Sequence, residues 1–363
     1  MKKKHGLMPT ISTLILIFVL LVSNHSYAQP AGGTKKIEQW IDSLAIARKL
    51  PGLAVVVTQA GKTIVKKGVG YADMEKKVSV DPEQTLFRIG SISKLFTATA
   101  ALKLDEQGDV NIHGPIGNYL PDLPNHLHAI TTLQLGGHLA GIRHYSRDEY
   151  INRDDFNTLQ ASLNKFIKDT LQFIPGSKYL YSSYGYNLLG AVAEQACGED
   201  FRKCLRRTVL KPLKMKNTFP EDVNLPNQNR ALSYGRDRDG AIQVAIETNL
   251  SDRWPSGGYW STAGDLARFG NSLLGDKYLA ASSKKILLTS QTTSDGKKTN
   301  VGFGWRVNEH ADYGVYYHHG GDAIGGRAFL LVCPKKQVVI AMVSNLSFAG
   351  FGEKEALLLL QLL

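Results

Sequence analysis

The 363-residue sequence predicts an α+β fold, and three observations predict it. Strand-like runs with hairpin punctuation lie near both ends of the chain. Helical patterns broken by Pro and Gly occupy the middle. No repeat of solenoid period links the segments. Strands at both ends with helices between imply one antiparallel sheet built from N- and C-terminal segments, flanked by helices and carrying a mostly helical insertion. We expect one domain over 29–363, with its sheet part at about 29–85 and 255–363 and its helical part at about 86–254.

Each element follows from local pattern. Residues 35–49 carry Ile37, Ile41, Leu44, Ala45 and Ala47 at helical spacing, and Pro51-Gly52 stops that helix. Residues 53–58 and 63–69 read as two strands of a hairpin turning at Gln59-Ala60-Gly61-Lys62. Residues 91–107 form a long helix ending at Gly108, and 186–196 and 265–274 are two more. Strand signals return at 303–307, 315–318, 328–332 and 338–343, and a Leu-rich helix over 353–363 closes the chain.

Residues 1–28 stand apart. Lys2-Lys3-Lys4-His5 is a basic start, 11–22 is an apolar run, and Ser26-Tyr27-Ala28 is a small-x-small cleavage site. These three parts predict a secretory signal peptide, and the apolar run is short for a membrane span. No Cys follows the cleavage point, so no lipid anchor is indicated there. We therefore expect an exported protein, periplasmic or secreted, with no stable membrane span once the leader is cut.

The formal net charge is +11, three units of it from Lys2, Lys3 and Lys4. The remaining Lys and Arg are scattered, without zinc-finger spacing or a long basic tract, so a nucleic-acid partner is not expected. Cys197, Cys204 and Cys333 are the only cysteines. In one continuous helix Cys197 and Cys204 would sit roughly 10 Å apart, too far to bond, so free thiols are expected. No C-x-x-C or H-E-x-x-H occurs, and we expect neither a metal nor a cofactor.

Three motifs carry chemistry. Ser91-Ile92-Ser93-Lys94 is S-x-x-K at a helix start, which puts a hydroxyl and an amine on one helix face. A partly desolvated amine can take the hydroxyl proton, and helix-start N–H groups favour developing negative charge. The pattern recurs at Ser162-Lys165, Ser282-Lys285 and Ser294-Lys297, but only Ser91 follows an extended run ending in Gly90 and opens a long apolar helix. The plain alternative for Ser91 is a helix N-cap. Tyr181-Ser182-Ser183 lies in a loop just before a helix, and a Tyr near a Lys loses its proton more easily and can shuttle protons. His319-Gly320-Gly321 lies beside a strand signal, where glycines suggest close backbone approach by a ligand and a His can hold a substrate carboxylate. His318 competes with His319, but on a strand the two face opposite ways.

In this order the motifs resemble the serine β-lactamase-like and penicillin-binding family, in particular its class C β-lactamase and D-Ala-D-Ala carboxypeptidase branch. The matching stretches are FRIGSISKLF (87–96), GHLAGIRHY (137–145), PGSKYLYSSYGYNLLG (175–190), GGYWSTAGDLARFG (257–270) and HGGDAIG (319–325). GSISK, GIRHY and YLYSSYGYNLLG look most like the mitochondrial serine β-lactamase-like proteins and their bacterial relatives. The resemblance implies that Ser91 attacks a carbonyl and is acylated, with Lys94 and Tyr181 sharing the acid and base work. It implies an oxyanion hole from the backbone N–H groups of Ser91 and Asp322, His319 where relatives have Lys or His, and water release of the acyl group with Tyr181 as activator.

Three positions depart from the pattern. Ser183 stands where many relatives have Asn, Gly320 where they often have Thr or Ser, and Asp322 sets a carboxylate beside the expected oxyanion donor. The expected function is an exported serine hydrolase forming an acyl-enzyme on peptide, D-amino-acid amide, ester or β-lactam substrates, with cell-wall peptide among the candidates. The departures favour peptidase or esterase action over β-lactam turnover. The alternative is an idle scaffold of the same fold that binds wall fragments or a protein partner.

Overall fold

A computed structural model describes residues 31–146, 148–222 and 229–363; the expected leader, 1–28, lies outside the described residues. Helix α1 (Ala31–Ala47) leads into strands β1 (Gly52–Gln59) and β2 (Lys62–Asp73). Their turn, Ala60-Gly61, has φ of 48° and 75°, and two positive values suit the primed turns that match strand twist. Strand β3 (Val78–Ser79) and strand β4 (Phe87–Arg88) precede helix α2 (Ser93–Gln107). Helix α3 (Ser183–Cys197) follows a run of short helices. Then come β5 (Phe219–Pro220), β6 (Tyr234–Arg236), β7 (Ile242–Val244), β8 (Tyr259–Ser261) and helix α4 (Ala263–Leu274). Strands β9 (Arg306–His310), β10 (Gly314–Ala323), β11 (Gly326–Cys333), β12 (Val338–Ser344) and helix α5 (Glu353–Gln361) complete the chain.

The main sheet has seven antiparallel strands in the order β3-β2-β1-β12-β11-β10-β9. It joins the two ends of the chain at the β1–β12 pairing, as the strand signals predict. Alternate residues of β1 enter different cores. Leu53, Val55 and Val57 pack beneath α1 and α5, whereas Ala54 and Val56 face the α2, α3 and α4 side. Helices cover both faces, which is why β1 and β12 read as unbroken apolar runs rather than alternating ones. On α4, a Cβ at Gly270 would come within 2.5 Å of Val339, so glycine lets that helix lie close on the sheet.

The structure departs from the sequence reading in three places. The region read as helical also contributes β5, which pairs with β8 beside β4 in the extended run already read before Ser91, and the β6–β7 hairpin. These strands are two or three residues long, too short to show a period. The strand expected over 303–307 begins only at Arg306, because Phe303 and Trp305 are core residues of the helical side. The strand expected over 315–318 runs on to Ala323, so the His-Gly-Gly motif lies inside β10.

The expectation of free thiols at Cys197 and Cys204 is overturned, because the two form a disulfide with Cα atoms 6.0 Å apart. The continuous helix assumed for them does not exist. Gly198 adopts a left-handed φ of 64° and ends α3, and a new helical turn starts at Phe201, which folds Cys204 back. Cys333 is the free, buried cysteine among the described residues.

Candidate active site

The Ser-Ile-Ser-Lys segment does not open α2 directly. Gly90–Ile92 make a 3-10 turn and α2 starts at Ser93. The Ser91 side chain caps no helix. Its Oγ lies 3.0 Å from Lys94 Nζ, so the N-cap alternative is set aside. Lys94 is fully buried. Its amine also donates to Ser183 Oγ at 2.9 Å and to the Ser256 carbonyl at 2.7 Å. Burial, aided by the nearby Arg253 charge, holds the Lys94 amine well below its ordinary pKa. Among the described residues no carboxylate pairs with it, so the neutral amine is accessible and can take a proton from Ser91.

Tyr181 packs its ring 4.9 Å from Lys94 Nζ and hydrogen-bonds to Ser91 through its hydroxyl. Contrary to the expectation of an easily lost proton, desolvation pushes this phenol up, and the hydrogen bond to Ser91 only partly opposes it. Tyr181 therefore rests protonated, placed to pass a proton rather than to act as a standing base.

The frame around these groups comes from residues that the sequence reading did not single out. Ser182 caps α3 by accepting from Gly185 N–H, and its own N–H donates to His138 Nδ1 at 3.1 Å. Ser183 N–H donates to His144 Nδ1, also at 3.1 Å. The two imidazoles thus clamp the Tyr181-Ser182-Ser183 segment by accepting hydrogen bonds, which requires them neutral at Nδ1. Burial lowers both pKa values, that of His144 to about 4. Ser256 Oγ bonds Asn187 at 2.8 Å and Tyr145 at 3.0 Å, while Thr97 on α2 holds the Pro255 carbonyl at 2.7 Å. That fixes the Ser256 carbonyl on which Lys94 rests. The only sequence signals for these groups were two family-like stretches, one containing His138, His144 and Tyr145 and the other containing Asn187; Arg253 and Ser256 lie outside them.

The third motif closes the site from the sheet side. A Cβ at Gly321 would stand 1.9 Å from the Ile89 carbonyl, and one at Gly90, whose φ is 49°, would stand 2.8 Å from Asp322 N. The close approach at Gly321 is therefore by the chain's own Ile89 rather than by a ligand. It brings the Asp322 backbone beside the Ser91 turn. His319 and His318 do face opposite ways. His319 turns to Tyr181, ring centroids 6.2 Å apart, and His318 turns to Glu353. His319 Nδ1 lies 2.6 Å from the Gly320 carbonyl and must donate to it, leaving Nε2 as an acceptor. Burial above all keeps His319 neutral. A neutral imidazole with only an acceptor exposed cannot hold a carboxylate, contrary to the sequence expectation. Asp322 does not point an unpaired charge at the site, because it is bound by Arg327, whose guanidinium lies about 3.4 Å from where a Gly320 Cβ would be.

One cavity of about 700 Å³ opens onto the site, lined among others by Ser91, Tyr181, Ser183, His319, Gly320 and Asp322. Arg306, at the start of β9, also lines it. Its exposed guanidinium forms no ion pair among the described residues. No group of His, Cys, Asp and Glu suited to a metal occurs among the described residues.

A mixed helix–sheet fold with a serine–lysine pair one turn apart at the foot of α2 defines the β-lactamase/transpeptidase-like class. The chain belongs to the β-lactamase family of serine hydrolases: the family model described as Beta-lactamase matches residues 37–363. It is similar to the human mitochondrial serine beta-lactamase-like protein LACTB, 26% identical over 409 aligned positions that cover 83% of this chain and 74% of that protein. Two solved structures share the fold. D-amino acid amidase from Ochrobactrum anthropi SV3 superposes with a TM-score of 0.78 at 20% identity, over 92% of this chain and 99% of that one. EstCE1, a hydrolase with promiscuous acyltransferase activity, gives 0.77 at 21% identity, over 91% and 98%.

Proposed function

We propose that this protein is an exported serine hydrolase that cleaves amide or ester bonds through an acyl-enzyme at Ser91. The observation that carries the reading is the fully buried Lys94 amine, 3.0 Å from Ser91 Oγ and paired with no carboxylate among the described residues. In the proposed reaction Lys94 takes the Ser91 proton as Oγ attacks the substrate carbonyl. The backbone N–H groups of Ser91 and Asp322 receive the oxyanion. Tyr181 gives its proton to the departing amine or alcohol and is reprotonated from Lys94. Water then attacks the acyl carbonyl, its proton returning through the same pair, and Ser91 is released.

Peptidase, D-amino-acid amidase or esterase action suits the site better than efficient β-lactam turnover. Ser183 offers no amide group and its hydroxyl is engaged by Lys94, and Gly320 offers no hydroxyl. The substrate is a small molecule or peptide, with cell-wall peptide among the candidates, and Arg306 is the cation available to an anionic group on it. Export is supported by the leader-like residues 1–28 and by the Cys197–Cys204 disulfide, which suits an oxidising compartment. Among the described residues no helix is long and apolar enough to cross a membrane.

The test is intact-protein mass spectrometry of residues 29–363 after exposure to an aryl ester, a D-Ala-D-Ala thioester mimic and a penicillin, with Ser91→Ala alongside. An adduct or turnover lost in the variant is expected, largest with the ester or thioester. A folded protein that none of the reagents labels or reacts with would leave the idle-scaffold alternative.

A further inference from the structure

The cavity does not end at Ser91. It continues past Gly320 to the opposite face of β10, where His318, Asn308 and Glu353 line it as well. The strand register puts these groups on one face, because Arg306 pairs with His318 and Asn308 with Tyr316. Asn308 donates to Glu353 Oε1 at 2.7 Å and Tyr316 donates to the same oxygen. Both are neutral donors, so Glu353 keeps its full negative charge. Burial works to raise the Glu353 carboxyl, but the Tyr316 hydrogen bond and the nearby His318, with Asn308 and Arg306, outweigh it and hold it below its ordinary range.

Two features of this lobe are unsatisfied. The His318 side chain is only 5% exposed, yet neither ring nitrogen has a hydrogen-bond partner among the described residues, and Nε2 stands 3.6 Å from Glu353 Oε1, too far for one. Arg306 and Glu353 bear opposite charges on one cavity but form no ion pair with each other. Of the other charged residues that line the cavity, Asp322 and Arg327 neutralise one another and Arg253 is paired with Asp252. A ligand bearing only a carboxylate would meet Glu353 as well as Arg306, and one bearing only an ammonium would meet Arg306 as well as Glu353. A group carrying both charges complements both residues and gives His318 a donor.

We propose that the lobe beyond Gly320 is a subsite for a zwitterionic amino-acid end of the substrate, its ammonium at Glu353 and His318 and its carboxylate at Arg306. The proposal names the substrate class for the hydrolase reading and rests on Ser91 being the acylated residue of the same cavity.

The test is calorimetric titration of the Ser91→Ala protein with norleucine, hexanoate and hexylamine, which share a chain length and differ in charge. Norleucine should bind at least tenfold more tightly than either of the others. Glu353→Gln, which keeps an oxygen for Asn308 and Tyr316, and Arg306→Gln, at an exposed position, should each remove that advantage. Equal binding of the three probes, no binding up to millimolar concentration, or an advantage that survives both substitutions would overturn the subsite. Labelling of the unsubstituted protein by an aryl ester is measured in parallel. Labelling at Ser91 without a zwitterion preference removes the subsite and keeps the hydrolase. Zwitterion binding without labelling keeps the subsite and removes the hydrolase.

Discussion

The two ends of the cavity are built on opposite electrostatic plans. At the Ser91 end Lys94, His138 and His319 are almost wholly inaccessible, burial lowers the pKa of each, and none is paired with a carboxylate among the described residues, while the buried charge of Arg253 is met by Asp252. At the end beyond Gly320, Arg306 and Glu353 stay charged and are held apart. A proton-transfer site needs an amine whose pKa has been lowered, and burial supplies that without any specific partner. A recognition site needs charge that is present and unspent, and partial exposure lets charge persist at modest cost. One residue without a side chain, Gly320, joins the two ends.

The largest effect that could break this comparison is at Lys94. Lys94→Ala should lower the acylation rate by about three orders of magnitude, the upper range for general-base assistance, with the circular dichroism spectrum preserved. An unchanged rate would remove Lys94 from the mechanism and the purpose from the neutral end.

The next effect is on stability. His138, His144 and His319 have folded pKa values below their unfolded ones, that of His144 about 4 against 6.5. Below pH 6.5 the unfolded chain binds more protons than the folded one, so stability should fall as pH drops from 6.5 towards 4. Each histidine contributes up to about 1.4 kcal/mol per pH unit over that window. Urea midpoints measured from pH 4 to 8 check this, and a flat profile would mean that the clamp histidines are charged in the folded protein.

Smaller effects sharpen the charged end. Arg306→Gln should lower kcat/KM for substrates with a carboxylate about tenfold more than for matched neutral esters, a difference of about 1.4 kcal/mol. Equal losses would assign Arg306 a structural role. The least effect is expected from Asp322→Asn, which frees Arg327. Acylation by anionic substrates should rise by less than about tenfold, the worth of a partly exposed ion pair, and a fall would show that Asp322 helps to hold the substrate.

How far the site was legible depended on where each partner lies in sequence. Ser91 and Lys94 are one helical turn apart, so helix geometry alone brings them together. Ser183 and Ser256 reach Lys94 from 89 and 162 residues away, and nothing local announces them. The Tyr181 proton was misjudged because proximity to a lysine was read without knowing that both groups are buried. The cysteine pairing was misjudged because Gly198 sat unread between two helical patterns. The role of Gly321 was half legible: close approach was implied, but only the packing of β10 on the Ser91 turn shows that the approaching atom is the Ile89 carbonyl.

By itself the sequence determined the fold class, the main strands and helices, and the three motifs of the site, because side-chain period, turn residues and helix spacing act over a few residues. Only the tertiary structure decided which of those groups are neutral and which charged, that His319 turns its acceptor to the site, and that Arg306 and Glu353 face one cavity unpaired. Burial and electrostatic fields are sums over neighbours from the whole chain, and no local pattern encodes them.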